Sequence, residues 1–557
     1  MSDDVLTALR DLAARGLSDE DTARALLDLT LQAAPPEVAD AVRVCALPAW
    51  FDADLLALLS RPLSPADEEP EGEHSFPSRG EKLGESQPLP PHREEPEESQ
   101  PLPPHRGELE GGQPLPPHRG ELEGGSLLER IAAFSFVMPR QGGGYVYHEA
   151  TRARLLDWWR RPENRPRFAV LSGRLARHYL ALARQQVPHL TSPGYLEALL
   201  ALDDAYSNVR AAWEEVIEAE NWELIQSFAY ALADYQMKRG MWADWIGWTQ
   251  AGLEACKHLG DRGGAAAMQN NLGIAYRNLP TGERAANLAR AIECYQQVLR
   301  FYTPEAAPLG YAMTQNNLGL TYADLPTGDR AANLRQAIAC YQEALRFYTL
   351  ETAPLQYATT QNNLGNAYAD LPTGDRAANL RQAIECYQQA LCFYTPEAAP
   401  LDYAMTQNNL GTAYSDLLTG ERAANLRRAI ECYQQALRFY TPEAAPLDYA
   451  MTQNNLGLAC VHLPTGERAA NLEQALGCAE AALRVDGLAP WERADYSFTR
   501  GLIRLALGHL DQALADYQAA VPLADAITVA EARKELERFA AAHPDTPGLD
   551  AVRALLT

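Results

Sequence analysis

A chain of 557 residues is too long for a single hydrophobic core and implies several domains. Lys and Arg total 48 against 73 Asp and Glu, and the formal charge of −25 opposes nucleic acid or an anionic membrane as the main partner. No apolar run reaches the roughly 18 residues of a membrane span, and the start Met1-Ser2-Asp3-Asp4 is acidic, so a soluble, cytoplasmic protein with no membrane partner is expected.

Residues 1–62 are helical by pattern, with Ala41-Val42-Arg43-Val44 leading into Trp50-Phe51-Asp52 and Leu55-Leu56. Composition then shifts. From Pro65 to Gly125 the chain is Pro, Glu, Gly and Ser, and Pro-Leu-Pro-Pro-His-Arg starts at 88, 101 and 114. Such a segment cannot bury enough surface to offset its ordering entropy, so residues 63–125 are read as a disordered, partly polyproline insertion. His92, His105 and His118 have no preset geometry for a metal, and the simpler reading is a duplicated linker.

Order resumes at Ser126-Leu127-Leu128-Glu129. A short helix, a strand-like Phe134-Ser135-Phe136-Val137-Met138, a Gly142-Gly143-Gly144 turn, a second strand Tyr145-Val146-Tyr147 and a helix through Leu155 and Trp158 follow. Joined across the insertion, 1–62 and 126–165 resemble a small α+β winged-helix domain, as found between the NTPase and the repeat sensor of STAND-class signalling proteins. Tyr147-His148-Glu149 stands where that class has Met-His-Asp. The chain has no Gly-x-x-x-x-Gly-Lys-Ser/Thr, so the resemblance implies a STAND-like protein without its motor, with His148 a packed wing residue. Ser126–Ala133, the candidate recognition helix, carries only Arg130 as a cation, which argues against DNA readout.

Residues 166–263 read as diverged helical hairpins. Trp213, Trp222, Trp242, Trp245 and Trp248 recur at helical offsets and are expected in the core rather than in a ligand box.

From 264 to 486 the chain repeats itself. Leu272, Leu318, Leu364, Leu410 and Leu456 fall 46 residues apart, each preceded by Asn-Asn and followed, Leu456 included, by Gly. Leu318, Gly319 and Tyr322 share one helical face, as do Ala337, Tyr341 and Ala344, and Leu325-Pro326-Thr327-Gly328 between them is a turn. Each copy is a helical hairpin. Cys294, Cys340, Cys386, Cys432 and Cys478 keep the same period and read as small buried residues in a reducing compartment.

Leu-Gly-x-x-Tyr followed by Ala-x-x-x-Tyr-x-x-Ala resembles the tetratricopeptide repeat, lengthened from 34 residues to 46 by additions within and between hairpins. The resemblance implies an all-α, right-handed solenoid, closed by a C-terminal hairpin and capping helices over 487–557.

A core does not accept an asparagine pair without partners. Because the leucine beside it faces inward, at least one asparagine should border the groove lined by the first helices. The pairs resemble the asparagine ladder of peptide-binding tetratricopeptide domains such as kinesin light chain. Carried over, Asn271, Asn317, Asn363, Asn409 and Asn455 would hold a peptide backbone, or bridge neighbouring repeats, or do both. At ~1 kcal/mol net per hydrogen bond, five rungs barely meet the roughly 4 to 15 kcal/mol lost on association, so specificity must come from positions that vary. Those are Ile274, Leu320, Asn366, Thr412 and Leu458, and one turn on Asn278, Asp324, Asp370, Asp416 and His462. Asp324, Asp370 and Asp416 would favour a basic segment; the alternative is an ordinary solvated face that drifts between duplicates.

Catalytic sets are absent. His148-Glu149 meets Arg152 where His-Glu-x-x-His needs its second histidine, Gly-x-Ser-x-Gly does not occur, and no Cys-x-x-Cys pair offers a zinc framework. The expectation is a non-enzymatic binding scaffold or sensor without cofactor or metal, with a protein or peptide partner; by resemblance, a separately encoded effector such as a CHAT-type protease is a further partner. The alternative is a transcriptional regulator that uses the winged helix on DNA.

Overall fold

The computed structural model describes residues 19–61, 126–134, 136–192 and 194–556. The proline-rich segment at 63–125 and the first 18 residues lie outside them. The described residues divide into two compact units, the first reaching Pro280 and the second beginning at Thr281.

In the first unit, α1 (Asp19–Ala33), α2 (Pro36–Val44) and α3 (Ala53–Ser60) precede the undescribed segment, and α4 (Leu127–Ala132), β1 (Val137–Pro139), β2 (Tyr145–Tyr147) and α5 (Glu149–Trp159) follow it. The two parts are stitched together. Phe51 exchanges both backbone hydrogen bonds with Tyr145, at 2.9 and 2.7 Å, beside the β1–β2 hairpin. The Tyr147 hydroxyl donates to the Val42 carbonyl at 2.8 Å, and the Trp159 indole to that of Arg43 at 2.7 Å. Gly144 is needed at this seam, because a Cβ there would meet the Phe51 carbonyl oxygen at 2.8 Å and its φ is +73°.

The strand expected over 134–138 is shorter and later than the pattern suggested: Phe134 follows the end of α4 and is buried, and pairing starts at Val137. His148 is not packed as expected. It precedes α5 as an exposed N-terminal residue, and Tyr147 is the one that enters the core. Alternation explains this: neighbours on a strand point to opposite faces.

The unit continues with α6 (Arg165–Gln186), a 3₁₀ turn (Val187–Thr191), α7 (Tyr195–Glu218), α8 (Trp222–Ala231), α9 (Ala233–Lys238), α10 (Trp242–Leu259) and α11 (Arg262–Asn278). Trp213, Trp245 and Trp248 are buried, and Trp213 stacks on Trp248 with centroids 4.2 Å apart. Trp222 and Trp242 are half-buried, the former stacked on His258.

The second unit is a solenoid of helix pairs. It opens with α12 (Arg284–Val298) and continues as α13 (Pro308–Asp324) with α14 (Arg330–Ala344), α15 (Pro354–Asp370) with α16 (Arg376–Ala390), α17 (Pro400–Asp416) with α18 (Arg422–Ala436), α19 (Pro446–His462) with α20 (Arg468–Leu483), and α21 (Pro490–Ala506) with α22 (Leu510–Ala520). The chain ends in α23 (Ala526–Ala542) and α24 (Leu549–Leu555).

Local chemistry sets each boundary. Proline opens every first helix, where its missing N–H costs nothing. In the turn, Gly328 takes φ +83°, and the Asn333 amide donates to the Thr327 carbonyl at 2.8 Å, an arrangement repeated by Asn379, Asn425 and Asn471. The pair is clamped where Tyr341 lies on Gly319, since a Cβ on that glycine would come within 2.7 Å of the ring; Gly365–Tyr387 and Gly411–Tyr433 do the same. The added residues between pairs carry a plug: Tyr394, buried to 1% exposure, packs on Ala358 and Ala390. Tyr348 and Tyr440 repeat it.

The periodic cysteines are buried and not in disulfides, and burial pushes Cys340, Cys386 and Cys432 up to about 12, so these three stay neutral and unreactive. No helix among the described residues is long and apolar enough to cross a membrane.

Candidate functional site

Successive first helices of the second unit touch one another directly (α13 with α15, α15 with α17, α17 with α19, α19 with α21) and so form the inner side of the solenoid. The asparagine pairs lie on this side, and the two members differ. Asn362, Asn408 and Asn454 are buried to 3–4% exposure, whereas Asn317, Asn363, Asn409 and Asn455 are half-buried.

In the three middle pairs the first asparagine is an acceptor for the next repeat, whereas the buried oxygens of Asn270 and Asn454 have no hydrogen-bond partner among the described residues. Asn316 Oδ1 receives the Thr360 hydroxyl at 3.2 Å and the Asn363 amide at 3.4 Å. Asn362 Oδ1 receives Thr406 at 3.3 Å and Asn409 at 3.5 Å; Asn408 Oδ1 receives Thr452 at 3.2 Å and Asn455 at 3.3 Å. One side-chain oxygen therefore gathers two donors from the neighbouring helix and fixes the stacking of repeats. The second asparagines spend their N–H groups at the long end of hydrogen-bond range, and the side-chain oxygens of Asn363, Asn409 and Asn455 have no hydrogen-bond partner among the described residues. Asn271 belongs to α11 in the first unit and is buried there.

The variable positions flank this row. Asn366 and Thr412 are exposed and Leu320 is half-buried. Asn366 Oδ1 accepts from Tyr387 at 2.8 Å and from Asn409 at 3.2 Å, and the Thr412 and Tyr433 hydroxyls are 3.2 Å apart. One turn on, each aspartate meets an arginine from the start of the preceding second helix: Arg284–Asp324 at 3.5 Å, Arg330–Asp370 at 3.4 Å and Arg376–Asp416 at 3.1 Å. Such part-exposed pairs are worth about 0.2–1 kcal/mol each.

At its C-terminal end the inner side is already covered. Helix α23 packs on α21, its Glu535 bonds His462 at 3.1 Å and its Arg538 approaches Asp416 at 4.0 Å. Leu536 and Phe539 are buried against the same core as Leu456 and Leu502. The open stretch of the groove thus runs over α13, α15 and α17, with Leu320, Asn366, Thr412, Asp324 and Asp370, while Asp416 and His462 sit against the protein's own helix.

Two contributors were not singled out from sequence. Thr360, Thr406 and Thr452, which with Thr314 keep the 46-residue period, supply the bridging hydroxyls, and the turn arginines, also periodic, supply the partners of the aspartates. Their periodicity was visible; which side of the helix they shared with a neighbour was not. Among the described residues, no three His, Cys, Asp or Glu side chains come together in a way that could hold a metal ion.

No protein-family model matches the chain, and no curated protein matches it. Solved structures similar to it include the apo form of the quorum sensor NprR from B. thuringiensis, at 14% identity over 67% of this chain and 93% of that one, with a TM-score of 0.39. A human IFIT1 dimer with PPP-AAAA matches at 17% identity over 68% of this chain and 88% of that one, with a TM-score of 0.31. The TPR2AB domain of yeast Sti1 in its pHSP90 complex matches at 14% identity over 53% of this chain and 99% of that one, with a TM-score of 0.20. The solenoid itself is read from the packing described above.

Proposed function

We propose that the chain is a non-enzymatic scaffold or sensor that binds an extended protein segment along the inner side of its second unit. The observation that carries this is Asn363 and Asn409, half-buried, one repeat apart and each with an unused side-chain oxygen, beside the exposed and variable Asn366 and Thr412. Acceptors repeated along a groove pair with backbone N–H groups whatever the peptide sequence, while the positions that vary select among sequences. Asp324 and Asp370 at the rim favour a basic segment. Panning a displayed library of random peptides against the full chain tests this. Enriched peptides should lose binding when Asn363 and Asn409 are changed to alanine; enrichment indifferent to both changes sinks the reading.

The first unit's short helices and two-stranded hairpin are proposed to be a winged helix of the STAND type, serving as a platform rather than a DNA reader. Arg130, the one cation of α4, is committed to Glu37 at 2.8 Å, which leaves that helix little charge for phosphates. Signalling through a separately encoded effector, of which a CHAT-type protease is one kind, fits a scaffold with no reactive set of its own. A DNA-binding regulator would instead retain duplex affinity at low salt, and measuring that separates the two.

A further inference from the structure

The copies of the repeat are near-identical, which makes a directed change among them informative. Tyr-Ala-Met-Thr-Gln-Asn-Asn-Leu-Gly recurs unaltered in α13, α17 and α19, yet the residue just before it is Gly310, then Gln356 in α15, then Asp402 and Asp448. Asp402, Met405 and Asn409 are three and four apart and share one face of α17; Asp448 and Met451 repeat the start of that series on α19. Asp402 thus stands two helical turns, about 10 Å along the axis, before the ladder asparagine. Both aspartates and Met405 are half-buried and Met451 is 38% exposed, so this end of the two helices is open. Helix α23 covers α19 at its other end, where Glu535 meets His462.

The protein makes no use of these carboxylates. Neither Asp402 nor Asp448 has an ion pair or a side-chain hydrogen bond among the described residues, and burial raises both carboxyls with no cation to lower them. The rim aspartates differ, since each meets a turn arginine, and so does Glu492, the matching residue of α21, which accepts from the Ala489 N–H at 2.8 Å. Both carboxylates act on a third unused group, the hydroxyl of Tyr440, a plug side chain 4% exposed. One repeat earlier the Tyr394 hydroxyl meets that of Thr359 at 2.7 Å, but Met405 stands in the place of Thr359 and leaves Tyr440 without a hydrogen-bond partner among the described residues. Its oxygen is not sealed from solvent. Tyr348 packs on Met313 in the same way, but the positions of the two aspartates are Gly310 and Gln356 there.

We propose that Asp402, Asp448 and the Tyr440 hydroxyl select an arginine or lysine side chain of the segment held on the asparagine ladder. This rests on the groove reading and names the side chain the groove prefers and the carboxylates that prefer it. A half-buried carboxylate without a partner is relieved by a cation, and three separate acceptors suit a donor-rich head group. Met405 and Met451, one turn from the carboxylates, offer thioether surface to the alkyl stem. The two turns between Asp402 and Asn409 match the long stems of arginine and lysine, and histidine falls short of them.

Random heptapeptides displayed on phage, panned in parallel on the full chain and on its Asp402→Asn/Asp448→Asn variant, test this. Peptides from the parent should share an arginine or lysine at one position, and peptides from the variant should not. Replacing that residue by norleucine, which keeps an alkyl stem, should weaken binding to the parent about tenfold or more and binding to the variant less than about twofold, by titration calorimetry. The asparagines keep the shape of the aspartates and break no hydrogen bond among the described residues, and peptides recovered on the variant show that it is folded. A norleucine peptide that binds the parent as well as its cationic form does, or a loss equal in both proteins, overturns the inference. So do recovered peptides that need Asn363 and Asn409 but share no cation, a result that leaves the groove reading standing. Peptides indifferent to those two asparagines sink the groove reading, and this inference with it.

Discussion

Replacing Asn408 and Asn409 one at a time separates the two jobs of the asparagine pair. Asn408→Ala removes an oxygen that receives Thr452 at 3.2 Å and Asn455 at 3.3 Å, inside a contact where Asn408 is 4% exposed and Thr452 fully buried. At ~1 kcal/mol net for each bond, the α17–α19 stacking loses about 2 kcal/mol, and a stranded Thr452 hydroxyl adds to this unless it turns to its own helix, as Thr314 does toward the Gly310 carbonyl. Asn409→Ala removes only donors, reaching Asn362 at 3.5 Å and Asn366 at 3.2 Å from a half-buried site where water can substitute, and should cost at most about 0.5 kcal/mol. A repeat array does not melt as one two-state body, so the suitable readout is amide hydrogen exchange over residues 400–462. Two kcal/mol corresponds to exchange about 30-fold faster for Asn408→Ala, against about twofold for Asn409→Ala. Binding of a groove-directed peptide should fall in the second variant while its exchange barely changes. Equal exchange rates in the two variants would refute the division of roles.

Gly365→Ala should destabilise by about 1–3 kcal/mol despite alanine's better helix propensity, because its Cβ would meet the Tyr387 ring at 2.6 Å; exchange over α15 and α16 reports it. The Asp495 carboxyl is raised to about 6 from 3.8, so the folded state holds its proton more tightly than the unfolded chain. Its contribution therefore favours folding at low pH and is lost as pH rises from about 4 through about 6, amounting to roughly 2–3 kcal/mol. Asp495→Asn should accordingly be more stable than the parent at neutral pH and equal to it near pH 4, by denaturant titration of the second unit's signal. Phe539→Ala, at a site 1% exposed, should cost about 3–5 kcal/mol in the docking of α23 and speed exchange at Asp416 and His462. Changing Asp324 and Asp370 to asparagine together should weaken a basic peptide and flatten its salt dependence, as read by titration at two ionic strengths; an unchanged affinity removes the electrostatic part of the reading.

The 46-residue period, the hairpin in each copy and the burial of Leu, Gly, Tyr and Cys followed from sequence alone, because helical spacing and turn chemistry are local properties of neighbouring residues. The repetition also located the asparagine pair and the positions that vary beside it. What sequence left open was which member of the pair faces a neighbour. That depends on how one first helix lies on the next, and only the stacked helices show Thr360 and Asn363 converging on Asn316. The pairing of Arg330 with Asp370 has the same origin, since it joins residues 40 apart in sequence through the offset between adjacent repeats. The return of α23 over Asp416 and His462 was hidden for a different reason: an amphipathic terminal helix reads the same whether it covers an end or folds back along the inner side, and the choice is made by the surface that Leu536 and Phe539 find to bury against.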